Sequence, residues 1–110
     1  MTLERVAGTK TAVYIGVFSD DYSNMMLSDP ESLPAHHVTG TGKAIYANRI
    51  SYLFDLKGPS LSLDTGCSAS LVALHEACQS IRCGESEQAI VGGTNLILNP
   101  KTTMSLAGLG

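Results

Sequence analysis

With 110 residues, the chain has room for one domain or for part of a larger one. Its formal net charge is −3 and its seven Lys and Arg are scattered, which excludes the basic patch of a nucleic-acid-binding surface. No apolar run reaches the length of a membrane-spanning helix, and the opening Met1-Thr2-Leu3-Glu4-Arg5 lacks the apolar stretch of a secretory leader.

Hydrophobic residues make up 44% of the sequence and charged residues only 15%, against roughly 25% charged in a typical domain. So little polar material suits a segment taken from the interior of a larger body. Three cysteines is an odd number, and nothing else points to secretion, so free thiols in the cytoplasm are expected.

In chain order, Thr11 to Phe18 is apolar after its first residue and rich in β-branched side chains, which predicts a buried strand. Ser19 to Gly40, broken by Pro30 and Pro34, reads as a long loop or a short helix. From Lys43 to Leu56 apolar residues recur at helical spacing, with Thr39 or Thr41 as the candidate cap. Gly58-Pro59 forces a turn, and the alternating Ser60 to Leu63 predicts a short edge or interface strand. A second helix follows Cys67, with Leu71, Leu74, Cys78 and Ile81 as its apolar stripe and Gly84 as its stop. Gln88 to Gly92 predicts another buried strand, and Asn95 to Leu98 a further short one. Strands alternating with helices give an α/β layered fold. Such strands and helices need more partners than 110 residues supply, so residues 1–110 are expected to be one incomplete unit without an internal boundary.

The chemistry centres on Cys67, at a strand-to-helix junction. The free N–H groups and positive end of a helix favour nucleophilicity of a thiol there, and can stabilise an oxyanion formed on attack at a thioester. A free cysteine also serves as a small buried hydrophobe, and local physics leaves both roles open. A hydrolase-type nucleophile elbow requires glycine two residues before and two after the nucleophile; Thr65 and Ala69 stand there instead.

The run Asp64-Thr65-Gly66-Cys67-Ser68-Ala69-Ser70-Leu71-Val72-Ala73-Leu74-His75 resembles the active-site signature of β-ketoacyl synthases, usually DTACSSSLVALH. Gly66 stands for the commoner Ala, as in the iterative highly reducing polyketide synthases of fungi, and Ala69 stands for Ser. Gly40 to Ser60, Glu85 to Pro100 and Thr11 to Tyr22 resemble the flanking segments of the same family. The resemblance implies a partial thiolase-like fold from the N-terminal half of a ketosynthase, with Cys67 accepting an acyl chain from the phosphopantetheine of an acyl carrier protein. Decarboxylative condensation with a malonyl thioester would follow. The family's two catalytic histidines belong to later motifs, HGTGT and KSNIGH, which this sequence does not contain. The implied partners are the carrier protein, an acyltransferase domain and a second copy joined through the strand near Ser60 to Leu63. A non-catalytic remnant of a synthase and a Cys-dependent hydrolase are the rival readings.

The remaining candidates take structural roles. His75 lies about 12 Å of helical rise from Cys67, beyond hydrogen-bond reach, and is read as structural. His36 and His37 are expected at the surface. Cys78 and Cys83 stand about 140° apart around a helix, poor for chelation, so no metal site is expected. Cys78 is read as packed core and Cys83 as partly exposed. Gly92-Gly93 is a close-packed turn outside any phosphate-binding motif. Asp20, Asp21, Asp29 and Glu31 are read as solvated loop charges.

Overall fold

The structure, a computed structural model, describes residues 2–110. Its centre is a three-stranded parallel sheet in the order β2-β1-β3, formed by β1 (Thr11–Val17), β2 (Ser60–Leu63) and β3 (Gln88–Thr94). All seven residues of β1 are buried, as its unbroken apolar run requires of a strand covered on both faces. One face packs Val13, Ile15 and Val17 against Ala47 and Leu56; the other packs Ala12 and Tyr14 against Ala73 and Ala77. Each such Val or Ile contributes about 1.5–3 kcal/mol of transfer free energy.

Two long helices form the outer layers, α4 (Lys43–Leu53) and α5 (Ala69–Arg82), preceded by the short α1 (Leu3–Val6), α2 (Asp21–Leu27) and α3 (His37–Thr41). The span Ser19 to Gly40 therefore holds helical turns rather than one loop. Asp29 caps a single 3-10 turn there by accepting from the Glu31 N–H, so it is more than a solvated charge. Helix α4 stops three residues earlier than the periodicity predicts, because Phe54 leaves helical geometry and Asp55 adopts a left-handed φ of 50°. Its cap is Gly42; the Thr41 hydroxyl instead donates to the His37 carbonyl inside α3.

Helix α5 corrects the sequence reading most. Its sheet-facing side is Ala69, Ala73, Ala77 and Ser80, all buried. The predicted stripe turns outward, with Leu71, Leu74 and Ile81 exposed by 71%, 48% and 44% and Cys78 only half-buried. Small residues let the helix sit close to the strands, and hydrophobicity alone could not distinguish the two apolar sides. Gly84 follows the helix end in left-handed conformation, as expected.

Residues Asn95 to Leu98 form no strand. They run from β3 into α6 (Pro100–Ala107), a helix that Asn99 caps by accepting from the Lys101 N–H, with Pro100 in its first turn. Asn-Pro is a legible helix start that the sequence reading passed over. Among the described residues no helix is long and apolar enough to cross a membrane.

Candidate active site

Parallel strands deliver their C-terminal ends to one side of a sheet, where α/β proteins place their sites. Here β1 ends in Gly16 and Val17 and runs on into Phe18, and β3 ends in Gly93 and Thr94 and runs on into Asn95. Between them the chain turns from β2 into α5 through Gly66, Cys67, Ala69 and Ser70. These residues line an open cleft of about 560 Å³. Cys67 is exposed at its mouth, one residue before the helix cap Ser68. Among the described residues lining the cleft, Cys67 is the only titratable one.

The turn carrying the thiol is held by short-range bonds. The Gly66 N–H donates to Asp64 Oδ1 at 3.1 Å, and the Ser68 hydroxyl donates to the Thr65 carbonyl at 3.0 Å. The first turn of α5 closes as the Ala69 N–H reaches the Gly66 carbonyl at 3.2 Å. Gly66 has a φ of 69°, a region that costs other L-residues about 1–2 kcal/mol. The departure from the commoner Ala thus falls where glycine relieves strain. Ala69 is buried, so a serine there would place its hydroxyl under the helix.

The depth of the helix is set by a notch. Gly16 and Gly93 are register partners on adjacent strands. A Cβ on Gly16 would lie 2.5 Å from the Ser70 nitrogen, and one on Gly93 would lie 2.8 Å from the Ser70 Cβ. Two missing side chains let the start of α5 rest on the sheet with Cys67 at the cleft. Gly93 is therefore part of the site, and the Gly92-Gly93 pair lies within β3 rather than in a turn.

Charges beside the turn are organised. Lys43 Nζ lies 2.8 Å from Asp64 Oδ2 and 3.2 Å from Asp20 Oδ2. The hydrogen bond from Lys43, followed by that from the Gly66 N–H, holds the Asp64 carboxyl below its ordinary pKa. The bond to Asp64 raises Lys43 above its ordinary 10.5, opposed by desolvation and aided by Asp20. A depressed carboxylate loses its contribution only as pH falls through the lowered value. A raised amine loses its own only as pH rises through the raised one. The pair therefore persists across the neutral range.

Asp20 and Asp21 are not solvated loop charges. Asp20 joins Lys43, whereas Asp21 is buried and its Oδ2 accepts from the Leu98 and Asn99 N–H groups at 3.0 and 3.1 Å. The adjacent Ser19 hydroxyl donates to the Leu96 carbonyl at 2.9 Å. Sequence reasoning missed these roles, and also Phe18, Thr94 and Asn95 in the cleft wall; the convergence of parallel strand ends was the available signal for the latter.

Other candidates lie apart from the cleft. His75 is exposed, two positions along α5 from the buried Ala73 and so on the outward side. His36 is exposed, but His37 is half-buried, with Nε2 3.5 Å from the Thr41 hydroxyl. Cys83 is exposed, and Cys78 is half-buried rather than core. Among the described residues no group of three His, Cys, Asp or Glu is placed to hold a metal ion.

A thiol at the mouth of a cleft, set on a strand-turn-helix junction at the C-terminal side of a parallel sheet, stands where α/β proteins place their sites. The profile of the family described as Beta-ketoacyl synthase, N-terminal domain, matches residues 1–110. The chain is 54% identical over 110 residues to the highly reducing polyketide synthase dmxL2 of Cryptosporiopsis, covering 100% of this chain and 5% of that one. It is also 54% identical over 99 residues to the hybrid PKS-NRPS synthetase apdA of Emericella nidulans, covering 90% of this chain and 2% of that one. Among solved structures, the ketosynthase from module 6 of the bacillaene synthase of Bacillus subtilis matches with a TM-score of 0.84 and 36% identity, over 99% of this chain and 17% of that one. The oxazolomycin ketosynthase domain OzmH of Streptomyces albus matches with a TM-score of 0.81 and 35% identity, over 99% and 19%. The chain belongs to the β-ketoacyl synthase family and has the α/β, thiolase-like fold of ketosynthase domains.

Proposed function

We propose that Cys67 is the acyl-accepting nucleophile of a polyketide-synthase ketosynthase, of which these residues form an N-terminal segment. The observation that carries this reading is the exposed thiol at the start of α5, facing a cleft whose lining offers no competing titratable group. In the acyl-loading step the Cys67 thiolate attacks the carbonyl carbon of a carrier-bound acyl thioester. A new C–S bond forms, the tetrahedral oxyanion collapses, and the carrier's phosphopantetheine thiolate leaves and takes up a proton. In condensation a malonyl thioester loses carbon dioxide. Its carbanion then bonds to the acyl carbon, and the Cys67 thiolate is released. The acyl carrier protein and an acyltransferase domain of the same synthase are the partners, and the setting is cytoplasmic. Groups that assist decarboxylation come from outside these 110 residues.

The test is direct. Purified synthase carrying this segment, incubated with an acyl thioester and digested, should yield a Cys67 peptide heavier by the acyl group. An adduct on Cys78 or Cys83, or rapid release of free acid instead of a retained adduct, would overturn the reading.

The proposal extends to a homodimer through β2. Among the described residues this strand pairs only with β1, on one side. The Val13 N–H donates to the Pro59 carbonyl, so the alternation of a parallel ladder aims the Ser62 N–H away from β1. The serine side chains on this strand are engaged by α4: Ser62 Oγ accepts from the Ala47 N–H and Ser60 Oγ donates to Asn48 Oδ1. Ser62→Pro should therefore remove an outward donor and give monomer with slowed acyl loading, whereas Ser62→Ala, which loses only the hydroxyl contact, should remain dimeric. Light scattering decides between them. A dimeric proline variant would refute the β2 interface.

A further inference from the structure

Lys43 occupies the first position of α4, where the helix dipole disfavours a cation. What accounts for its placement is the company of its ammonium. It contacts Asp20, in the connection after β1, and Asp64, in the connection after β2. Asp64 uses its other oxygen to accept from Gly66, the left-handed residue immediately before Cys67. One ammonium thus joins three segments at the sheet's C-terminal side and ends, through one carboxylate, on the backbone that aims the nucleophile.

We propose that Lys43 is a positioning residue for Cys67, acting through Asp64 to fix the Gly66 turn. This rests on the reading of Cys67 as the acyl acceptor. Lys43 does not line the cleft and touches no reacting atom. Its effect is on the geometry of the thiol, so it should alter the rate of acyl transfer more than the affinity for the thioester. Asp64 is the intermediary, and its peptide-binding oxygen is oriented by the ion pair on the other oxygen. Loss of either partner frees the same turn.

The experiment measures acyl loading of Cys67 by intact-protein mass in the purified synthase, using a short acyl-N-acetylcysteamine thioester over a range of concentrations. Lys43→Met and Asp64→Asn should each slow loading about tenfold at saturating thioester, with the half-saturating concentration changed less than twofold. The double variant should be no slower than the slower single one, because both break a single chain of contacts. Lys43→Arg, which can still span two carboxylates, should restore at least half of the wild-type rate. Thermal melting monitors folding, and Asp64→Asn, which keeps an acceptor for Gly66, carries the test if Lys43→Met melts early. Wild-type loading rates in both single variants, or additive losses in the double, would overturn the positioning role. A wild-type synthase that takes no acyl group on Cys67 would overturn the functional reading, and the positioning role with it.

Discussion

Gly16→Ala should slow acyl loading of Cys67 by about 100-fold and destabilise the ketosynthase by about 3 kcal/mol. The new methyl group would lie 2.5 Å from the Ser70 nitrogen and 2.6 Å from the Ala69 carbonyl carbon, both backbone atoms. Neither can rotate aside. The start of α5 must lift from the sheet, carrying the Gly66–Cys67 turn with it, and a misplacement of about 1 Å is enough for a loss of this size. Gly40→Ala, where nothing lies within 4 Å of the added carbon, should leave loading unchanged. Gly93→Ala offers a sharper comparison, because its clash is with the Ser70 Cβ at 2.8 Å. Removing that atom with Ser70→Gly should recover most of the Gly93→Ala loss. Loading by Gly16→Ala at the wild-type rate, or failure of Ser70→Gly to relieve Gly93→Ala, would show that the glycine notch does not set the position of the helix.

Asp21→Ala should cost about 3 kcal/mol of stability, read as a lower midpoint in urea. Asp21 is 6% exposed, and one of its carboxylate oxygens accepts from both Leu98 and Asn99. Alanine leaves both donors without the partner they have now, next to the cap of α6. Asp21→Asn keeps an oxygen of the same shape and should cost only about 1 kcal/mol, the difference between a charged and a neutral acceptor. Equal losses in the two variants would mean that packing around Asp21, rather than its acceptor, sustains the loop.

The sequence was most informative where one pattern admits one structure. Thr11 to Val17 has no polar side to offer solvent, so a strand buried on both faces was its only economical form. The strand-to-helix junction that carries Cys67 was equally legible, because the alternating Ser60 to Leu63 and the helical run after Cys67 bracket it on both sides. Helix α5 was misread because it carries two apolar sides. Leucines outscore alanines in hydrophobicity, yet close approach to a sheet selects the alanines. Asp20 and Asp21 were misread because their partners, Lys43, Leu98 and Asn99, are distant in sequence. Only the folded chain brings an acidic pair in a polar stretch to a cation at a helix start and to two N–H groups beyond β3. The glycine notch was hidden for a similar reason: Gly16 and Gly93 acquire meaning as neighbours across a sheet, not as single residues in strands.

The pairing of β1 with β3 also governs how the chain must be made. Gln88, the partner of Thr11, follows it by 77 residues, so at about 5–20 residues per second the ribosome takes roughly 4 to 15 s to supply the second strand after the first. During that interval the innermost strand lacks the partner of one edge, and until Ser60 to Leu63 emerge it lacks both. Its seven residues contain no charge and no proline, and are dominated by β-branched and aromatic side chains, the composition that favours intermolecular strand stacking. The parallel crossover that carries the Cys67 turn thus leaves an apolar strand edge uncovered while the chain is being made, an interval of aggregation risk. A host for producing the protein should therefore be judged on chaperone capacity during elongation before it is judged on growth temperature.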